Sequence, residues 1–205
     1  MDIKKTFENL FKKEKHGYEA HPTLLGKIWH FLCHEESWAS LLADILLLII
    51  ILKFMFFPIL GFLLHTDLPL VAVVSGSMDH KNENFEVWWE NHKEEYLEKN
   101  ISKEQFQNFP FKEGFKKGDV FVIVGYKNKK PEVGDVIVYK INKNYPVIHR
   151  VILVKNGVVE TKGDANLQQF EFEKVILLEQ ISGKAIFKIP YLGWPKVILT
   201  ELLQK

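Results

Sequence analysis

The sequence predicts a small, mostly β, β-barrel-like domain that carries a helical insertion and follows one N-terminal transmembrane helix. Three observations predict this fold. A long apolar run covers residues 41–64, aromatic residues recur at helical spacing over 85–96, and β-branched strand patterns fill the chain from Phe115 onward. The chain has 205 residues, of which 47% are hydrophobic. That is enough for one modest domain and one membrane segment.

The apolar run reads LLADILLLIIILKFMFFPILGFLL. About 20 apolar residues cross a hydrocarbon core of about 30 Å, and Trp38 stands where interfacial aromatic anchors are common. We therefore predict a transmembrane anchor over residues 38–64. Lys53 opposes this, because a lysine at mid-membrane costs about 2.5–3.5 kcal/mol unless it snorkels, and Pro58 is expected to kink or end the helix. A buried core helix is the alternative.

The charges around the anchor predict its orientation. Few lysines follow it closely, whereas six precede it: Lys4, Lys5, Lys12, Lys13, Lys15 and Lys27. This bias predicts a cytoplasmic N-terminal segment over residues 1–37 and an extracytoplasmic domain after a single pass of the cell membrane. No small-residue cleavage site follows the run, so we expect it to stay as an anchor and not to be removed as a signal peptide.

After the anchor, the sequence predicts a β domain over residues 65–192 and a C-terminal amphipathic tail over 193–205. The motifs KKGDVFVIVG and EVGDVIVYK each combine a Gly-Asp turn with a β-branched run. Asn156 and Gly157 predict a hairpin between the next two strands. Residues 179–189 add another strand.

A helical insertion is predicted over residues 79–113, with a capping box from Ser102 to Gln105 before its second helix. Its aromatic stripe either packs onto the domain, which we favour, or serves as a lid or a foot on the membrane surface through Trp88 and Trp89.

The composition disfavours several other functions. With 27 basic and 26 acidic residues, the net charge of +1 gives no broad basic surface, so nucleic acid is not an expected partner. The single cysteine, Cys33, excludes an intrachain disulfide. On a helix, His30, Cys33 and His34 would share one face, but a closed zinc site needs a fourth ligand and none is close in sequence. No metal site is predicted.

The candidate chemistry centres on VVSGSMDH, residues 73–80. Ser77 follows a predicted strand and Gly76, which permits a sharp turn that exposes the serine. A serine needs a base to become nucleophilic, and His149 in PVIHRVI is the only histidine of the β-rich part. Asp164, one hairpin away, could fix the imidazole tautomer, and the Ser75 hydroxyl could join a backbone N–H to stabilise an oxyanion. Taken separately, the signals are weak: Ser-Gly-Ser is common in turns, a lone histidine on a strand is more often a core residue, and Gly163-Asp164 could equally be only a turn.

In this order, SGSM after an anchor, two GDV strands, HRVI and TKGDAN closely resemble signal peptidase I of the archaeal and endoplasmic-reticulum type. The resemblance covers residues 68–166 apart from the insertion. It implies that Ser77 is the nucleophile, that His149 is the base where bacterial members have a lysine, that Asp164 is the acid and that Ser75 lines the oxyanion hole. No cofactor is implied.

Two departures from the family pattern stand out. The family usually has Glu-Pro-Thr after SGSM, where this chain has Asp79, His80 and the insertion. The family also often carries a second aspartate beyond the Gly-Asp, whereas Asp164 is the last aspartate here. Either Asp164 is the third triad member, which is the assignment we adopt, or Glu171 or Glu173 takes its place.

The resemblance therefore predicts a membrane-bound serine endopeptidase that cleaves signal peptides from secreted and membrane precursor proteins. Its expected partners are those signal peptides, the lipid membrane and the protein-translocation machinery. The alternative is a catalytically inactive relative that binds signal sequences or acts as a scaffold. The altered acid region favours that alternative, and the presence of both Ser77 and His149 opposes it.

Overall fold

The computed structural model describes residues 23–24, 37–127, 130–141 and 146–203. The N-terminal lysines and the group His30, Cys33 and His34 lie outside the described residues. The chain divides into two compact units between Lys53 and Phe54.

A helix over Trp38–Leu64 covers 27 residues and is long and apolar enough to cross a membrane by length and composition. It consists of α1 (Trp38–Ile51), a π-helical turn (Leu52–Phe56) and α2 (Phe57–Leu64). Ser37 caps its start by accepting a hydrogen bond from the Ser40 amide. The π turn ends two residues before Pro58, and such a turn is one way for a helix to accommodate a residue that lacks an N–H. The helix therefore continues past Pro58, and His65 ends it in the left-handed conformation.

The domain is mostly β, as the sequence predicts, and the seven strands among the described residues form one sheet in the order β1-β2-β7-β3-β4-β5-β6. Every neighbouring pair of strands is antiparallel. The strands are β1 (Leu70–Ala72), β2 (Val120–Val124), β3 (Val136–Lys140), β4 (Pro146–Lys155), β5 (Val158–Lys162), β6 (Ile176–Leu177) and β7 (Ile181–Ile189). The hairpin between β4 and β5 turns at Asn156 and Gly157, both with positive φ, which confirms the predicted turn.

Strand β3 lies between two hydrophobic clusters and is buried on both faces. Val136 and Val138 pack with β1, β2 and Met78 on one face. Ile137 and Tyr139 pack on the other face with residues of β4, β5 and β6. Because β4 pairs directly with β3, the strand that carries His149 is held against the most buried part of the sheet.

The insertion forms α3 (Phe85–Glu98) and α4 (Lys103–Gln107), and Ser102 and Gln105 make the predicted capping box. Its aromatic side chains form a third cluster, which includes Ile152 of β4. Trp88 and Trp89 are only 1% and 3% exposed. Both tryptophans are therefore used for packing onto the domain, and they are not available as a membrane foot.

Helix α5 (Trp194–Leu203) forms the tail. It buries Val197, while Ile198, Leu199 and Leu202 on the same helix are exposed.

Candidate active site

The nucleophile candidate lies in a turn fixed on both sides. Before it, Val73 is buried and exchanges backbone hydrogen bonds with Gly118 and Asp119 at the start of β2. After it, Met78 is buried, and its carbonyl accepts from the Phe115 amide. The carbonyl of Ser77 accepts from the Ala165 amide at 2.8 Å. These bonds hold the backbone of Ser77 between the end of β1 and the turn after β5.

The hydroxyl of Ser77 lies within hydrogen-bond distance of two side chains. Its Oγ is 2.9 Å from Nε2 of His149 and 3.1 Å from Oγ of Ser75. His149 is on β4, paired with Ile137 of β3, and is 4% exposed. Three of the four residues that the motifs single out, Ser75, Ser77 and His149, therefore meet at one place.

Gly76 has a different role from the one its position predicts. Its φ lies outside the left-handed region, and a Cβ built on it would have no neighbour within 4 Å. The turn does not require a glycine at this position. The missing side chain instead leaves open space beside Ser75 and Ser77.

Glu173 supplies the carboxylate at the other imidazole nitrogen of His149. Its Oε1 lies 2.5 Å from Nδ1, off the line of a regular hydrogen bond, and its side chain is fully buried. Such contacts are often imperfectly aligned in an enzyme without substrate and tighten in the complex. The same carboxylate accepts backbone N–H bonds from Gly163 at 3.0 Å and Phe170 at 2.6 Å, so its position is fixed.

Glu171, the other glutamate considered, points to solvent. Its side chain is 88% exposed and pairs with Lys174. Of the two glutamates, only Glu173 contacts the histidine.

The predicted contact between Asp164 and His149 is replaced by a different one. Asp164 is fully buried, and its carboxylate forms an ion pair with the guanidinium of Arg150, with Oδ2 2.7 Å from Nη2. It also accepts from the Tyr96 hydroxyl at 3.0 Å and lies 3.4 Å from Nε2 of His80. The physical reason is that Arg150, next to His149 in sequence, is itself fully buried and requires a counter-ion.

The environment of Asp164 strongly favours its charged form. Burial alone would raise the pKa of this carboxyl, but the Arg150 guanidinium and the neighbouring His80 outweigh it and hold the pKa well below the usual range. The remaining donors of Arg150 bind the carbonyls of Pro110, Phe111 and Gly134. Through the carbonyls of Pro110 and Phe111, Arg150 thus links β4 to the end of the insertion.

The turn after β5 is locked by a buried lysine. Lys162 donates to the carbonyl of Asn166 at 2.6 Å, and burial lowers the pKa of its ammonium group. A Cβ on Gly163 would lie 2.9 Å from the Ser77 carbonyl oxygen and 3.1 Å from Nε2 of His149. Glycine is required there because the turn passes directly beside the serine and the histidine.

Chemically, the arrangement is suited to nucleophilic attack. A hydroxyl faces an imidazole nitrogen that can take its proton, and a buried carboxylate faces the second nitrogen, where it can stabilise the imidazolium. Sequence reasoning kept Glu173 only as an alternative and gave Arg150, Tyr96 and His80 no role at the site. Arg150 was the available signal, because an arginine in the middle of an apolar strand needs an acidic counter-ion.

Comparison with known proteins adds a family likeness. The chain is 23% identical to the signal peptidase complex catalytic subunit SEC11 of Candida tropicalis over 163 residues, which span 72% of this chain and 75% of the relative. The SEC11 subunit of Candida dubliniensis gives the same values. SEC11 of Colletotrichum graminicola is 29% identical over 98 residues, 42% of this chain and 57% of the relative. No protein-family model matches the chain. These similarities confirm the resemblance to signal peptidase I of the endoplasmic-reticulum type.

Proposed function

We propose that this protein is a membrane-bound serine endopeptidase that removes signal peptides from secreted and membrane precursor proteins. The observation that carries the proposal is the 2.9 Å contact between Ser77 Oγ and Nε2 of a histidine whose other nitrogen faces a buried carboxylate. The likeness to SEC11 subunits and the apolar helix over Trp38–Leu64 support the substrate class and the membrane location.

In the proposed reaction, His149 takes the proton of Ser77 as the hydroxyl attacks the scissile carbonyl, and later gives it to the leaving amine. The Ser75 hydroxyl, 3.1 Å from Ser77 Oγ, helps to stabilise the oxyanion. Water then hydrolyses the acyl-enzyme. We assign the third triad role to Glu173 in place of Asp164, because Glu173 is the acid that reaches the imidazole.

We assign Asp164 a supporting role. Its carboxylate neutralises Arg150. Its backbone N–H lies 3.2 Å from the sulfur of Met78, the buried residue that directly follows Ser77 in the chain. The residue thus holds the strand of the base and the turn of the nucleophile together, without a contact to the reacting atoms.

The precursor is proposed to bind as an extended strand beside β1, which pairs with β2 and is an edge of the sheet. Backbone pairing at an edge accepts varied sequences, as a general signal peptidase requires. The open space over Gly76 leaves room for the chain to continue past Ser77. The translocation machinery that delivers precursors is the expected macromolecular partner.

The test is cleavage of a precursor by the purified full-length protein in detergent micelles or proteoliposomes. Mass spectrometry of the products should locate a single cut at the end of the signal peptide. Ser77→Ala should abolish the cut, with unchanged thermal unfolding and membrane extraction. Ser75→Ala should lower turnover by about 10²–10³, the usual loss of one oxyanion donor. A Ser77→Ala protein that cleaves normally, or a wild-type protein that binds precursor without cleaving it, would contradict the assignment.

A further inference from the structure

Asn166, the last residue of TKGDAN, presents a buried amide with no acceptor. Among the described residues, its Nδ2 makes no hydrogen bond, although that atom is shielded from solvent. An unmade hydrogen bond at a buried donor is destabilising. Buried groups of this kind are uncommon in native proteins, and each calls for an explanation such as a catalytic role or a bound water or ion.

This amide lies beside the serine and the histidine. A Cβ built on Gly163 would be 2.5 Å from Nδ2 of Asn166, 2.9 Å from the carbonyl oxygen of Ser77 and 3.1 Å from Nε2 of His149. The side-chain amide of Asn166 and the imidazole of His149 therefore both border the space that a Cβ on Gly163 would occupy.

The position of Asn166 is rigidly held. Its backbone N–H donates to the Gly163 carbonyl at 2.9 Å, and its backbone carbonyl accepts from the ammonium group of buried Lys162. Asp164, two residues earlier in the chain, forms an ion pair with Arg150. A donor on a backbone fixed at this many points is pre-organised, so a partner that meets it pays little ordering entropy.

We propose that the side-chain amide of Asn166 is a substrate contact, which donates a hydrogen bond to a backbone carbonyl oxygen of the peptide next to the scissile bond. A peptide placed for attack has its reacting carbonyl about 3–3.5 Å from Ser77 Oγ. Its flanking peptide units then pass the residues that surround Ser77 and His149, Asn166 among them. The only acceptors common to all peptides are their carbonyl oxygens, so the contact is independent of substrate sequence.

This inference rests on the proposed function, and a thioamide scan tests it separately. Synthetic signal peptides carry one thioamide each, a weaker acceptor, at every position flanking the scissile bond except the scissile one. Cleavage by the full-length protein in micelles gives kcat/KM for wild type and Asn166→Ala. The matched control is Asn108→Ala, an exposed amide that donates to the Glu104 carbonyl within the insertion.

We expect Asn166→Ala to lower kcat/KM by about three- to tenfold, the value of one neutral hydrogen bond. At one thioamide position the wild-type enzyme should lose about the same factor, while Asn166→Ala should lose nothing further. Asn108→Ala should behave as wild type at every position. The absence of coupling at all positions, with active enzyme, would overturn the inference, and a wild-type enzyme that cleaves no peptide would instead contradict the proposed function.

A binding measurement keeps the inference falsifiable if Asn166→Ala folds poorly. Asn166→Ser retains a polar side chain that is too short to reach the same acceptor. In a Ser77→Ala background, which cannot cleave, the Kd of a fluorescent signal peptide should rise about three- to tenfold with Asn166→Ser. An unchanged Kd in a protein with wild-type thermal unfolding would overturn the contact.

Discussion

At the scale of single residues, Glu173 and Glu171 form a natural pair for testing the triad. Glu173→Gln replaces the carboxylate at Nδ1 of His149 with an amide, which can hold the imidazole in the wrong tautomer and cannot stabilise its charge. We expect turnover to fall by about 10⁴-fold, the scale known for the equivalent acid-to-amide change in another serine protease. Glu171→Gln, at a solvent-exposed side chain, should change turnover less than twofold.

Steady-state kinetics of both variants, with circular dichroism to confirm folding, provide the measurement. The Glu173→Gln side chain would also meet the backbone N–H groups of Gly163 and Phe170 with one fewer acceptor oxygen. A loss of stability of about 1–3 kcal/mol is therefore expected beside the kinetic effect. A Glu173→Gln enzyme with near wild-type turnover would remove Glu173 from the triad.

Asp164→Asn is expected to act on stability. The change leaves the guanidinium of Arg150 buried without its counter-ion, a situation that costs about 3–5 kcal/mol. Denaturant unfolding of the two proteins at pH 7 measures this difference. A fully stable Asp164→Asn protein with a 10³-fold loss of turnover would return the triad role to Asp164.

The sign of the pH dependence follows from the lowered pKa of Asp164. The folded pKa lies below the unfolded value of about 3.9, so the stabilisation is fully present above that value. It is lost as the pH falls through the folded pKa. The stability gap between wild type and Asp164→Asn should therefore narrow as the pH falls below about 4. A gap that widens below about pH 4 would contradict the assigned ion pair.

The residue scale also shows where sequence reasoning reached its limit. Ser75, Ser77 and His149 could be identified because short motifs carry them, and the structure brings them together. The third acid could not, because its place depends on the path of the chain after Asp164. Residues 167–173 return Glu173 to the imidazole by a 3₁₀ turn, and the backbone amide of Phe170 at the start of that turn donates to the Glu173 carboxylate. No periodicity in the sequence reports such a turn.

At the scale of elements, the insertion is an integral part of the domain's core. Phe106 of α4 is fully buried, contacts Trp88 and places its ring 4.8 Å from the guanidinium carbon of Arg150. We expect Phe106→Ala to destabilise the protein by about 3–5 kcal/mol, the usual cost of removing a buried phenylalanine. Leu97→Ala on α3, at a side chain that is 50% exposed, should stay within about 0.5 kcal/mol.

Chemical denaturation of both variants gives these values. If Phe106→Ala were no more harmful than Leu97→Ala, the insertion would not be part of the domain's core.

Whether an element can be predicted from the sequence depends on whether its contacts are local. The capping box at Ser102 and the turn at Asn156 and Gly157 are local and were predicted correctly. The two-residue strand β6 exists only through its pairing with β5, so no local pattern predicts it.

At the scale of the whole molecule, the charge bias around the helix over Trp38–Leu64 predicts its orientation. The chain offers its own probe, because Cys33 is its only cysteine and stands just before this helix in sequence. A second probe, Glu171→Cys in a Cys33→Ser background, places a thiol at a strongly exposed position of the β domain. In sealed spheroplasts, a membrane-impermeant maleimide should label the Glu171→Cys protein and leave Cys33 unlabelled until detergent is added. Labelling of Cys33 together with protection of the Glu171→Cys thiol would mean the reverse topology. The domain would then face the cytoplasm, where it could not meet precursors that have crossed the membrane.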